Sequence, residues 1–149
     1  MNGPYNKTYN KPYNNPTIKF DARMENDLSY ENAYAKFKSQ FPEDQGFFEQ
    51  KEKETCVDPS DGAHLPFGMV VVPFLFHLVD ISDEQKIRRC FAFFEKMSLS
   101  SDKELSAVVQ FSILEAIVDN ESYFKKLKPY FTKEMLSYFP YLHLYMDFD

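Results

Sequence analysis

Two short polar strings, Ser82-Asp-Glu-Gln85 and Ser101-Asp-Lys-Glu104, do most to limit what this chain can become. Each sets a serine three residues ahead of a Gln or Glu, the pattern whose side chains close the free amides of a helix start. Behind the first, Ile87, Cys90, Phe91, Phe94 and Met97 recur at helical spacing. Behind the second, Leu105, Val108, Val109, Ser112, Ile113, Ala116 and Ile117 form a continuous stripe. The intervening "SLSSD" interrupts the first helix, and the two starts lie 19 residues apart. Neighbouring amphipathic helices on so short a link bury their stripes against each other or against a shared third element.

The rest of the chain fits that scheme. Ser29 can cap a helix carrying Tyr30, Ala33, Tyr34, Phe37 and Phe41, which Pro42 ends because the residue before a proline is pushed out of the helical region. A short second helix follows, anchored by Phe47 and Phe48, with an alternating Lys/Glu tail facing solvent. The run 65–81, "LPFGMVVVPFLFHLVDI", is ambiguous. Val70, Val71 and Val72 favour a strand, yet the run is long for one and leads into a helix cap. A buried helix from near Pro66, kinked or restarted at Pro73, is the expectation, with a strand at 69–72 as the alternative. Asn120 is placed to cap a short helix ending before Pro129, and Thr132 a last one with Met135, Leu136 and Phe139, bent or ended at Pro140. The result is an all-α chain of six or seven helices, a small bundle or short repeat-like array.

Ahead of these helices, residues 1–18 hold three prolines and three Tyr-Asn pairs without hydrophobic periodicity. Such a segment cannot offset its ordering entropy by burial. It is expected to be a flexible arm before a single helical domain at 19–149. A chain of 149 residues suffices for one self-supporting core.

Charge narrows the function. Residues 1–20 carry three lysines and no acid, whereas 21–66 carry 11 acids against 5 bases, within a net charge of −6. That balance disfavours duplex nucleic acid, whose phosphates need a basic face, and favours a basic partner or simply solubility. No membrane span is expected, since the longest apolar run is too short and contains Pro73 and His77. The N-terminus lacks an apolar signal core, and two cysteines make no disulfide framework, so a cytoplasmic protein is expected.

One segment gathers chemistry-bearing residues: "ETCVDPSDGAH", 54–64, with Cys56, Asp58, Asp61 and His64. As a zinc site it lacks paired ligands and a fourth donor. As a turn it explains Asp58-Pro-Ser-Asp-Gly62 with proline early and glycine where positive φ is needed. The turn reading is preferred, and no metal, cofactor or catalytic residue is expected. Cys90 and His77 fall on apolar stretches and read as core residues. Glu115 and Asp119 read as a solvent-facing helix edge.

Protein recognition asks for less specialised groups: charge to steer an encounter and aromatic anchors to hold it. The candidate residues are Glu49, Glu52, Glu54, Asp58 and Asp61 on the acidic side, and Tyr138, Tyr141 and Tyr145 in the aromatic tail. The tail's other possibility is to pack back and close the core. The stretches "FGMVVVPFLFHLV", "RRCFAFFEKM", "ELSAVVQFSILEAIVDNESY" and "LKPYFTKEMLSYF", about residues 67–139, resemble small uncharacterised bacterial all-helical proteins of the polymorphic-toxin immunity type. The resemblance implies an immunity protein that plugs a basic toxin domain, and implies no catalytic residue. The alternatives are a structural or self-associating helical protein, or a metal or thiol enzyme centred on Cys56 and His64; oligomeric state stays open.

Overall fold

The computed structural model describes residues 28–138, which form helices joined by short turns and loops, without a strand among them. Helix α1 spans Ala33–Ser39, and a 3₁₀ turn at Pro42–Asp44 leads into α2, Gln45–Thr55. Helix α3 runs over 64–80 in three parts: His64–Pro66, a π-helical stretch Phe67–Val71, and Val72–Asp80. Helix α4 is Glu84–Leu99. Helix α5 covers 103–118 as Lys103–Ala107, a π-helical stretch Val108–Leu114, and Glu115–Val118. Helix α6, Glu121–Leu127, a 3₁₀ turn Lys128–Tyr130, and α7, Lys133–Tyr138, complete the described chain. The N-terminal arm, Phe139, Tyr141, His143 and Tyr145 lie outside it.

Residues 69–72 are helical, so the strand alternative falls, and the restart expected at Pro73 takes the form of a change from π-helix to α-helix at Val72, with the proline in the first turn of the new stretch. Val71 and Val72 keep helical dihedrals, with φ −70°, ψ −42° and φ −61°, ψ −47°. Proline removes one donor and crowds the carbonyl four residues back. The helix widens just upstream instead of breaking: the Val72 amide donates to the Phe67 carbonyl, five residues away.

The helix starts are shifted by one residue from the expected caps. Asp83, not Ser82, accepts the Lys86 amide, and Asp102, not Ser101, accepts the Glu104 amide. Ser82 is occupied differently, holding a left-handed φ of 58°. Its amide reaches the Val79 carbonyl and the Asp83 amide reaches Leu78, a pair of bonds that closes the end of α3. Ser29 does not sit at the cap position of α1, which Asn32 holds; it closes the turn just ahead, its hydroxyl accepting the Asn32 amide and the Asn32 side chain accepting the Ser29 amide in return. Asn120 makes no side-chain cap, whereas Thr132 accepts the Met135 amide.

One continuous core joins these helices. At its centre Phe37 is fully buried, its ring centroid 5.0–6.3 Å from Phe41, Phe48, Phe67, Phe74, Phe93 and Phe94. Among the described residues most of the phenylalanines are thus interior. Cys90 is buried as expected, and burial pushes its thiol well above the usual range. His77 is not a core residue: it is exposed and stacks on Phe47 at 5.2 Å, because it falls on the solvent stripe of α3.

Candidate functional site

The acidic residues of α2 and the following turn separate into two kinds. Glu52 is held internally. One of its oxygens accepts the Tyr34 hydroxyl at 2.5 Å and Lys38 Nζ at 2.8 Å, and Lys38 lies over the Tyr34 ring. Burial, reinforced by the Glu52 carboxylate, pushes the Tyr34 hydroxyl well above its ordinary range, so the proton stays on the tyrosine. Glu52 therefore ties α1 to α2 and stands apart from the exposed acids.

Glu49, Glu54, Asp58 and Asp61 are exposed. Glu54 accepts a hydrogen bond from Gln50 and pairs with Lys51 at 3.0 Å; those two groups hold its carboxyl below the usual range. Asp58 accepts both the amide and the hydroxyl of Ser60 at 2.9 Å, and these bonds lower it likewise. Asp61 accepts the Asp58 amide, while its own amide donates to the Asp58 carbonyl. The two aspartates build the turn as a self-contained hydrogen-bonded unit, with side chains still open to solvent.

Cys56 and His64 serve separate purposes. Cys56 is exposed and left-handed, at φ 59°. Its amide reaches Lys53 and the Val57 amide reaches Glu52, closing α2 as Ser82 closes α3, with Val57 buried beyond it. Across the turn, Gly62 takes φ 82°, and the Tyr30 ring sits where a Cβ would stand, 2.6 Å from it. His64 packs against the same ring and places Nδ1 2.7 Å from Ser112 Oγ on α5. An imidazole beside a hydroxyl is half of a nucleophile arrangement, which also needs a third group to orient the base. Among the described residues no carboxylate bonds His64, and no three His, Cys, Asp or Glu side chains gather as metal ligands would. The pair instead pins α3 to α5 beside Gly68, where a Cβ would stand 3.5 Å from the Ser112 carbonyl oxygen.

Of the aromatic candidates, Tyr138 ends α7, and Tyr141 and Tyr145 lie outside the described residues. Sequence reading missed a different apolar group. Leu65 is 50% exposed, Met69 40% and Phe111 56%. Leu65 and Met69 were hidden in a run that reads as wholly buried. Phe111 had a visible signal, since it falls off the 105–117 stripe.

An all-α domain with one aromatic core and an acidic turn is the class that fold and surface define. The chain belongs to DUF7674, a family described as a domain of unknown function, whose model matches residues 34–145. The match begins within α1, so the helices ahead of residue 67 are part of the family's domain and not an addition to it. Neither a curated protein nor a solved structure matches the chain. No described helix is long and apolar enough to cross a membrane.

Proposed function

We propose that the protein is a binding module that covers and sequesters a basic protein partner, in the manner of an immunity protein that neutralises a toxin. The observation that carries this reading is the exposure of Glu49, Glu54, Asp58 and Asp61 along α2 and its turn, two of them held below the usual carboxylate range. Fixed anions on a rigid turn steer a cationic surface and lose little freedom when it docks. The mechanism is steric and electrostatic and uses no reacting group.

The test is a pull-down from the native host with the wild-type chain and with Glu49→Lys, Glu54→Lys, Asp61→Lys combined. A basic protein retained by the wild type should be lost from the variant by about tenfold or more. Asp61→Lys removes the bond to the Asp58 amide and Glu54→Lys the pair with Lys51, both at the surface, so a thermal melt of the variant must match the wild type for the comparison to count. An unchanged set of bound proteins would remove the electrostatic reading.

A further inference from the structure

Helix α3 is covered on nearly all sides. Its flank at His64 and Gly68 lies against Ser112 of α5, its flank at His77 stacks on Phe47 of α2, and Phe76 stacks flat on Tyr123 of α6 at 4.1 Å. What stays open is Leu65 and Met69, one turn apart on a helix that α2 and α5 both flank. Both are apolar, and a core helix has no internal reason to leave them so far exposed. Phe111, next to Ser112, adds a third large exposed side chain from the α5 shoulder.

The surroundings are acidic. Asp61 precedes Leu65 by one turn's worth of chain, and Glu115 follows Phe111 by one turn; both are exposed. On the α2 shoulder, Lys51 lies over Phe47 but is itself paired with Glu54. The geometry points to this strip as the docking groove for an amphipathic basic helix of the partner protein. Its apolar face would lie on Leu65, Met69 and Phe111, and its cations would meet Asp61 and Glu115. Helices seat in apolar grooves in this way, and methionine suits such surfaces because its side chain adapts. A second copy of the chain is the poorer occupant, because it would bring two acidic rims together within a net charge of −6 each. The inference deepens the proposed function by naming an apolar anchor other than the C-terminal tyrosines.

The probe is a short fluorescent helical peptide of lysine and leucine with one apolar face, compared with a scrambled peptide of the same composition, on the full chain. Fluorescence anisotropy should show the amphipathic peptide binding at least about tenfold more tightly than the scrambled one. Met69→Glu with Phe111→Glu should erase that preference. Ile81→Glu with Leu99→Glu, which charges two other exposed apolar residues, should leave it intact. Equal binding of both peptides, or equal effects of the two double variants, overturns the groove. So does a wild-type dimer by light scattering that dissolves in the Met69→Glu, Phe111→Glu variant, since a second copy would then occupy the strip. If those two substitutions are silent while reversing Glu49, Glu54 and Asp61 still releases the host partner, the groove fails and the acidic surface stands.

Discussion

Cys56 and Ser82 show how much a single residue's surroundings decide its role. Both carry groups that chemistry can use, and both serve as left-handed closures of a helix, with φ 59° and 58°. Holding an L-residue there costs about 1–2 kcal/mol. Glycine avoids that cost but is freer when unfolded, a loss of about 0.5–1 kcal/mol. Cys56→Gly and Ser82→Gly should therefore each stabilise the protein by about 0.5–1 kcal/mol, raising the melting temperature by about 2 °C. Gly62→Ala should act in the opposite direction, since φ is 82° and the Tyr30 ring already occupies the Cβ position. A calorimetric melt of the three variants checks the signs; destabilisation by Cys56→Gly would mean the thiol makes a contact that matters.

At the scale of the element, the two π-helical stretches lie side by side where α3 crosses α5. A widened turn displaces backbone outward, and close approach then depends on small residues at the contact. Gly68 and Ser112 supply them. A methyl at position 68 would meet the Ser112 carbonyl oxygen at 3.5 Å and its Cβ at 3.8 Å, both ordinary contacts. Alanine also favours helix over glycine by about 0.8–1.0 kcal/mol, so Gly68→Ala should be neutral or mildly stabilising. Gly68→Leu has no such room and should cost about 1–3 kcal/mol by forcing the helices apart. Urea unfolding of the pair gives the comparison, and equal midpoints would show that the crossing is looser than its distances indicate. The shift of both helix caps from serine to the following aspartate belongs to this scale too. Asp102 accepts the Tyr30 amide with one oxygen and the Glu104 amide with the other, so it joins the start of α5 to the N-terminal segment as Ser101 does not.

Across the whole molecule, Phe37 connects what the helices bring. Its ring meets side chains from α2, α3 and α4 as well as Phe41. Truncating a buried phenylalanine costs about 3–5 kcal/mol, a large share of the about 5–15 kcal/mol that holds a typical domain folded. Phe37→Ala should lower the urea midpoint severely, or leave the chain unfolded, whereas Phe47→Ala, at a half-buried ring on the rim of the cluster, should cost less. Equal losses would show that the aromatic cluster has no centre. The outer polar ties are secondary: Lys86 meets Asp44 at 2.7 Å and Glu43 at 3.1 Å, joining α4 to the turn before α2.

The amino-acid order alone was enough for the helical class, for the turn at 58–62 and for the buried stripes of α4 and α5, because periodicity and turn chemistry are local properties. It also placed Cys90 inside and the segment from Cys56 to Ala63 in a loop between two helices. Tertiary packing alone decided the rest. Whether Val70–Val72 are strand or helix, whether Glu52 faces a partner or Tyr34, and whether Leu65, Met69 and His77 lie inside or out depend on which neighbours flank α2 and α3. Periodicity states that a helix has faces, but only the placement of the other helices determines which face is left to solvent.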